Sequence, residues 1–216
     1  MNESKQTILI ADDHPAFRTG VRQYFRSRKD FELIGEVGDG QVCFHRLETM
    51  QPDWAVIDLS MPSMTGFEIL QSAHERRMPT RIIVMSMFAD QVYAERAKEL
   101  GARGFIAKED AVAELDQALR TPEGQFFMSE SVGRSTNFLS LQLGDNRLDQ
   151  LTPAESRILR LLAEGATSKE IGRELNISPR TVQSHRRNIA DKLELHGHNK
   201  LLEFAVRNRD QLIERD

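Results

Sequence analysis

Residues 54–66, from Trp54 to Gly66, read W-A-V-I-D-L-S-M-P-S-M-T-G. Ala55 to Ile57 is a short apolar run that suits a buried strand, and Asp58 falls where that strand should end. A carboxylate there stands at the mouth of a sheet, outside its core. Pro62 and Gly66 then punctuate a loop, and a helical pattern starts near Phe67. Taken alone, Asp58 reads as well as a strand-end or turn aspartate, because aspartate is common at turns. Its neighbours along the chain decide the matter.

The same strand-then-helix unit recurs on both sides. Thr7 to Ala11 is an apolar run ending on Asp12 and Asp13; Pro15 follows, suited to a helix's first turn, and Phe17, Val21, Tyr24 and Phe25 then recur on one helical face. Phe31 to Val37 reads as a second strand, Gly40 to Met50 as a helix, Trp54 to Ile57 as the third strand and Phe67 to Arg76 as a helix. Arg81 to Met85 is a fourth strand ending on Ser86, and a helix from about Asp90 carries Tyr93, Ala97 and Leu100. Gly104 to Ala107 is a fifth strand ending on Lys108, with a last helix carrying Val112, Leu115 and Leu119. This alternation predicts an α/β fold, a doubly wound five-stranded parallel sheet with helices on both faces.

In such a sheet the residues just past the strand ends collect along one edge, where doubly wound folds keep their ligand site. Asp12, Asp13, Asp58, Ser86 and Lys108 therefore converge, and that convergence argues for function more strongly than any one of them. Three carboxylates drawn together repel; at ~4 Å and an effective dielectric near 20, each pair costs on the order of 4 kcal/mol. A divalent cation relieves this, and oxygen ligands suit Mg2+, with the backbone carbonyl of Ser60 a further candidate ligand. Such an ion would screen an incoming phosphoryl group and let Asp58 attack phosphorus to form an aspartyl phosphate. Lys108 would neutralise one phosphoryl oxygen and the Ser86 hydroxyl would donate to another. His14, beside the acid pair, reads as a helix-start residue, because Mg2+ prefers oxygen.

Residues 7 to 120 resemble a two-component receiver domain, of flavodoxin-like fold. The resemblance is carried by the pair Asp12-Asp13, the block D-L-S-M-P-S-M-T-G around Asp58, Ser86 after the fourth strand and G-F-I-A-K around Lys108. It implies that Asp58 is the phosphoacceptor, served by a histidine kinase or a small acyl phosphate. It also implies that Asp12 and Asp13 hold Mg2+, and that Ser86 and Lys108 read the phosphorylated state. Phe105 stands where the family often has a tyrosine that swings inward on activation, and Thr65 replaces an acid frequent before Gly66. Phenylalanine can swing but lacks the hydroxyl; a fixed core aromatic on the fifth strand is the other reading.

From Thr121 to Gln150 the alternation stops, and Gly124, Gly133 and Gly144 mark a connector. Phe126, Phe127, Phe138, Leu139, Leu141 and Leu143 are too apolar for a free tether, so part of it is expected to be helical or to dock on a domain. Thr152-Pro153-Ala154-Glu155 is a capping box with proline at the first helical position, and Ala154, Ile158, Leu161 and Leu162 form the helical face. Thr167 to Glu170 is a second capping box opening a short helix, Asn176 and Ile177 make a turn, and Ser178-Pro179 start a third helix to about Leu193. Helix, tight turn, helix is the shape of a DNA reader.

On the third helix Val182, Ile189 and Leu193 point inward, while Arg180, Gln183, Ser184, Arg187 and Asn188 point away; Lys192 is read with them. These side chains hydrogen-bond base edges and phosphates, whereas a merely solvated face would more often carry glutamate and lysine pairs. Residues 151 to 206 resemble the LuxR-type helix-turn-helix through L-T-P-A-E-S-R-I-L-R-L-L-A-E-G, K-E-I-G-R-E-L-N-I-S and R-T-V-Q-S-H-R-R-N-I-A-D-K-L. That resemblance places Gln183, Ser184 and Arg187 at base-reading positions, with Thr181 and His185 toward phosphates. It also makes the fourth helix, from Asn199 to about Asn208, a dimerisation element through Leu201, Leu202 and Ala205, although a core role fits them equally. His196 and His198 lack the further ligands a zinc site needs.

The expected organisation is a receiver over 1–121, a partly helical connector over 122–148 and a small all-α DNA-binding domain over 149–216. Together these resemble a response regulator of the NarL/FixJ type, implying phosphorylation-dependent homodimerisation on double-stranded DNA to control transcription. The net charge of -4 hides an asymmetry that agrees: residues 151–216 carry 12 Lys+Arg against 10 Asp+Glu, leaving the acidic excess to the rest. No apolar run approaches the ~20 residues that cross a bilayer, and the N-terminus lacks a signal peptide's apolar region, so a cytoplasmic protein is expected. The single Cys43 excludes an intrachain disulfide and a cysteine-based zinc site. Two other functional classes fit these residues less well. A ligand-held regulator with the receiver as scaffold leaves the acids, Ser86 and Lys108 without purpose. A haloacid-dehalogenase-like phosphatase needs a second aspartate where Ser60 stands.

Overall fold

The computed structural model describes residues 5–87, 90–132, 146–195 and 200–214. Among the sequence-based expectations, those on Gly133, Phe138, Leu139, Leu141, Leu143, Gly144, His196, His198, Asn199 and the side chain of Val112 lie outside the described residues. The chain divides into two compact units, Met1–Ser135 and Thr136–Asp216.

The first unit alternates strands and helices: β1 (Gln6–Ala11), α1 (Pro15–Arg26), β2 (Phe31–Val37), α2 (Gly40–Met50), β3 (Trp54–Asp58), α3 (Gly66–Glu75), β4 (Arg81–Ser86), α4 (Gln91–Glu99), β5 (Gly104–Ala107) and α5 (Ala111–Leu119). A short β6 (Phe127–Met128) follows. The strands pair in parallel in the order β2-β1-β3-β4-β5-β6. Five strands were expected, and the sixth comes from the stretch read as connector. Its backbone pairs with β5, Phe127 N–H donating to Arg103 O at 3.0 Å and Ser129 N–H to Phe105 O at 3.0 Å. The apolar Phe126-Phe127 pair thus marks a segment docked on the sheet. The described parts of the connector hold this strand and the start of a 3-10 helix, and no α-helix.

β3 lies at the centre and all five of its residues are buried, as an apolar run in a sheet covered on both faces requires. Trp54, 1% exposed, satisfies its indole N–H on Gln6 Oε1 at 2.8 Å and lies under the Arg81 guanidinium. Val21 and Phe25 of α1 and Leu115 and Leu119 of α5 close one core around β1, β3 and β4.

The second unit is helical: a 3-10 turn (Asn146–Gln150), α6 (Pro153–Ala163), α7 (Ser168–Glu174), α8 (Pro179–Lys192), α9 (Lys200–Arg207) and α10 (Arg209–Glu214). Both capping boxes form: Thr152 and Glu155 reciprocate at the start of α6, and Thr167 and Glu170 at the start of α7. Ala154, expected on the apolar face of α6, is exposed, and the buried apolar residues are Ile158, Leu159, Leu161, Leu162 and Ala163. The second position of this helix lies in its solvated first turn, while Glu155 is drawn in by the cap. α10 was not anticipated; Leu212 anchors it in the core. Among the described residues no helix is long and apolar enough to cross a membrane.

Candidate functional site

The C-terminal ends of β1, β3, β4 and β5 deliver the predicted cluster. Register aligns Asp58 with Met85, and Ser86 with Ala107, so the residues that end β3, β4 and β5 are neighbours by backbone pairing alone. Leu59 N–H donates to Met85 O at 2.9 Å and Lys108 N–H to Ser86 O at 2.8 Å, which carries the pairing past the strand ends. Asp12, Asp58 and Ser86 are 0 to 2% exposed, and Lys108 8%.

Lys108 Nζ lies 2.8 Å from Asp58 Oδ2, a hydrogen bond, and 2.8 Å from Asp12 Oδ2, an ion pair. Ser60, also buried, donates its backbone N–H to Asp58 Oδ1 at 3.2 Å. Burial pushes the Asp58 carboxyl up to about 6, against the pull of Lys108 and with the push of Asp12. One ammonium among the three clustered carboxylates of Asp12, Asp13 and Asp58 leaves a deficit of positive charge. Asp12 Oδ2 and Asp13 Oδ1 are met by the ion-pair contacts of Lys108 and His14, Ser60 Oγ has no hydrogen-bond partner among the described residues, and ligand atoms of Asp12, Asp13, His14 and Asp58 all lie within 4.8 Å of one another. Clustered hard oxygen atoms with net negative charge fit a divalent cation such as Mg2+. His14 is exposed and its Nδ1 lies 2.8 Å from Asp13 Oδ1, and it also begins α1, where its side chain makes no cap.

Local geometry explains why the acid loops hold their places. Asp12 Oδ1 accepts the His14 N–H at 2.8 Å, and the Arg18 guanidinium donates to the Asp12 backbone carbonyl. The role of Arg18 was not read from the sequence, although its position one turn into the helix after the acid pair was the available signal. On the other side Gly66 packs so closely that a Cβ would lie 2.7 Å from the Asp58 carbonyl oxygen. Thr65 caps α3 with Glu68 in a third capping box, which is what this threonine does in place of an acid. Phe105 is fully buried between Val84 on β4 and Met128 on β6 in register.

In the second unit α7 and α8 form the helix-turn-helix. Asn176 at the turn has φ 54°, which asparagine tolerates, and a Cβ on Gly172 would come 2.7 Å from Ile177 O, so glycine allows the close approach. Ser178 caps α8 by accepting the Thr181 N–H at 3.0 Å. Val182, Ile189 and Leu193 are buried, while Arg180, Thr181, Gln183, Ser184, Arg187 and Asn188 are exposed and His185 is half-buried. The Lys192 ammonium donates to Glu155 Oε2 at 2.7 Å, so it also ties α8 to the cap of α6. Arg186, which sequence reasoning passed over, donates to Ser168 Oγ at 2.9 Å and fixes α8 against the start of α7. Leu201, Leu202 and Ala205 of α9 are buried within the chain's own unit, at 8%, 9% and 0% exposure.

Two family models match. Residues 8–120 match the response regulator receiver domain, and residues 149–205 the luxR family of bacterial regulatory proteins. The nitrate/nitrite response regulator NarL of Escherichia coli K12 is 34% identical over 201 residues, covering 90% of this chain and 92% of that protein. The DNA-binding transcriptional activator EvgA of the same organism is 28% identical over 93% of this chain and 98% of its own length. Among solved structures, RcsB of Salmonella enterica serovar Typhimurium, bound to a promoter in the presence of the phosphomimetic BeF3-, is 28% identical. It aligns at a TM-score of 0.58 over 94% of this chain and 99% of that one. A second structure, an RcsB–DNA complex, aligns at a TM-score of 0.57 with 27% identity over 93% and 98%. With receiver and luxR-family signatures on its two units and a relative this similar along nearly its whole length, the chain belongs to the NarL-like response regulators, which join a receiver to a DNA-binding domain and control transcription.

Proposed function

We propose that Asp58 is the residue that takes the phosphoryl group, from a histidine kinase or a small acyl phosphate, and that its modification switches dimerisation and DNA binding. An Asp58 carboxylate oxygen attacks phosphorus, the bond from phosphorus to the donor's nitrogen or oxygen breaks, and the donor leaves with the electron pair. Lys108, already hydrogen-bonded to Asp58, moves its charge onto a phosphoryl oxygen, and the Ser86 hydroxyl donates to a second. Asp12, Asp13 and Asp58, with the Ser60 carbonyl, would hold Mg2+, which when bound offsets the charge of acids and phosphoryl alike. The observation that carries this reading is Lys108 Nζ at 2.8 Å from both Asp58 and Asp12, with a third acid, Asp13, whose ligand oxygen lies within 4.8 Å of theirs.

The phosphoryl group carries about -1.5 to -2 charges and replaces the -1 of the Asp58 carboxylate, so the end of β3 gains about half to one negative charge. Its readout is assigned to Ser86 and Phe105, on the adjacent strands β4 and β5. Gln183, Ser184 and Arg187 would read bases from the exposed face of α8; Arg180, Thr181, His185, Asn188 and Lys192 would add phosphate and flanking contacts. Two copies on a two-fold site, half-sites about one helical turn apart, fit such a reader. In that dimer α9 is the proposed element, with Leu201, Leu202 and Ala205 anchoring it from their own unit's core instead of touching the second copy. DNA as the target agrees with a cytoplasmic location.

Intact-mass measurement after incubation with acetyl phosphate and Mg2+ tests the acceptor. One acid-labile phosphoryl adduct is expected on the wild-type protein and none on Asp58→Asn; an adduct that survives this substitution, or none on the wild type, refutes the assignment.

A further inference from the structure

Phe17 lies in the first turn of α1, and its spacing with Val21, Tyr24 and Phe25 assigns it to that helix's apolar face. Like Tyr24 it is not fully buried, but it faces a charge. Val21 and Phe25 are buried, whereas Phe17 is only partly covered, and the Lys108 Nζ stands 5.0 Å from its ring centroid. The ammonium of Lys108 therefore has three neighbours of negative character: the carboxylates of Asp58 and Asp12 and the π face of Phe17. A cation within about 6 Å of a ring centroid is attracted by the ring quadrupole, more strongly when water is excluded. Lys108 is 8% exposed.

The three neighbours differ in what happens to them during phosphoryl transfer. Asp58 gives up its carboxylate charge when its oxygen bonds to phosphorus. Asp12 is shared with a divalent cation when one is bound. The ring alone offers the same attraction before, during and after the step. A lysine side chain loses up to about 2 kcal/mol of rotamer freedom when held in one place, and a charge aimed in advance stabilises a transition state best.

We propose that Phe17 is a positioning residue for phosphoryl transfer at Asp58: its ring holds the Lys108 ammonium at the acceptor while both of that ammonium's anionic partners change. The proposal rests on the reading of Asp58 as acceptor. It gives the first turn of α1 a role in the chemistry besides carrying the acid loop into a helix.

The test uses the full-length protein with Phe17→Leu, Phe17→Tyr and a series in which position 17 carries phenylalanine bearing one, two or three ring fluorines. Fluorine withdraws π density with little change in size. With acetyl phosphate and Mg2+, Phe17→Leu should slow formation of the Asp58 adduct by roughly three- to tenfold, equivalent to about 0.7 to 1.4 kcal/mol. Phe17→Tyr should keep the wild-type rate, and the fluorinated series should fall step by step. In metal-free protein the Lys108 ammonium protons should resonate upfield of their position in Phe17→Leu, because they sit against a ring face. A Leu variant as fast as wild type overturns the proposal, and so does a slow Leu variant with a flat fluorine series, which would mark Phe17 as core packing. If the wild type takes up no phosphoryl group, the acceptor reading falls and takes this role with it; uptake by wild type with unresponsive variants sinks the Phe17 role alone.

Discussion

The carboxyl of Asp58 should make the metal-free receiver less stable as pH rises. Burial pushes it up from its ordinary 3.8 to about 6, although Lys108 pulls the other way. For an acid weaker in the folded than in the unfolded chain, folding binds a proton. The associated stability is fully present below 3.8 and disappears as pH climbs through about 6. The separation of the two values corresponds to about 3 kcal/mol, a sizeable share of the ~5 to 15 kcal/mol that holds a domain. Asp58→Asn removes the titration and nearly preserves the shape.

Trp54, the only tryptophan, is 1% exposed on β3 and reports unfolding of the first unit alone. Urea titrations followed by its emission in EDTA, from about pH 4 to about pH 7.5, should show the wild type losing up to about 3 kcal/mol relative to Asp58→Asn. Adding Mg2+ at the upper end should restore the wild type and leave the variant less affected, because a cation favours the ionised acids. Other carboxyls shared by both proteins cancel. Asp53, for example, is held below its usual value by hydrogen bonds from the Thr7 backbone and side chain, and its contribution is lost on acidification in each. Parallel curves for wild type and variant would refute the account of how this acid is buried.

Two further outcomes follow from the geometry. Gly66→Ala would set a methyl 2.7 Å from the Asp58 carbonyl oxygen and 2.9 Å from Leu59 Cα, both backbone atoms, and should cost about 1 to 3 kcal/mol. An unchanged Trp54 urea midpoint would contradict that close approach. Arg187→Ala, on the exposed face of α8, should relax sequence preference at one base position by roughly 1 to 3 kcal/mol; uniform weakening across DNA sequences would make it a phosphate contact.

Much was legible in the chain because parallel α/β architecture writes itself locally. Each buried strand is an apolar run, each ends on a polar residue, and parallel pairing then brings those ends to one edge without any side-chain information. β2, α2 and β5 match their expected bounds, and Asp58 and Lys108, fifty residues apart, meet as expected. The turn, caps and inward residues of the helix-turn-helix were likewise set by periodicity and capping chemistry. β6 was hidden because two residues are too short for an alternation pattern, and only the free edge of β5 makes them a strand. Ala154 was misread because its apolar methyl says nothing about a first turn that faces water.

What the amino-acid order determined by itself was which groups sit at the sheet's edge and which face of α8 is polar, since the first follows from where each apolar run ends and the second from the 3.6-residue period of a helix. Tertiary structure alone decided how those groups are shared. It set Lys108 between two carboxylates and under the Phe17 ring, tied Lys192 to Glu155 and Arg186 to Ser168, and buried Leu201 and Ala205 in their own core. Those partnerships join residues far apart in sequence, and distance across a fold leaves no trace in local pattern.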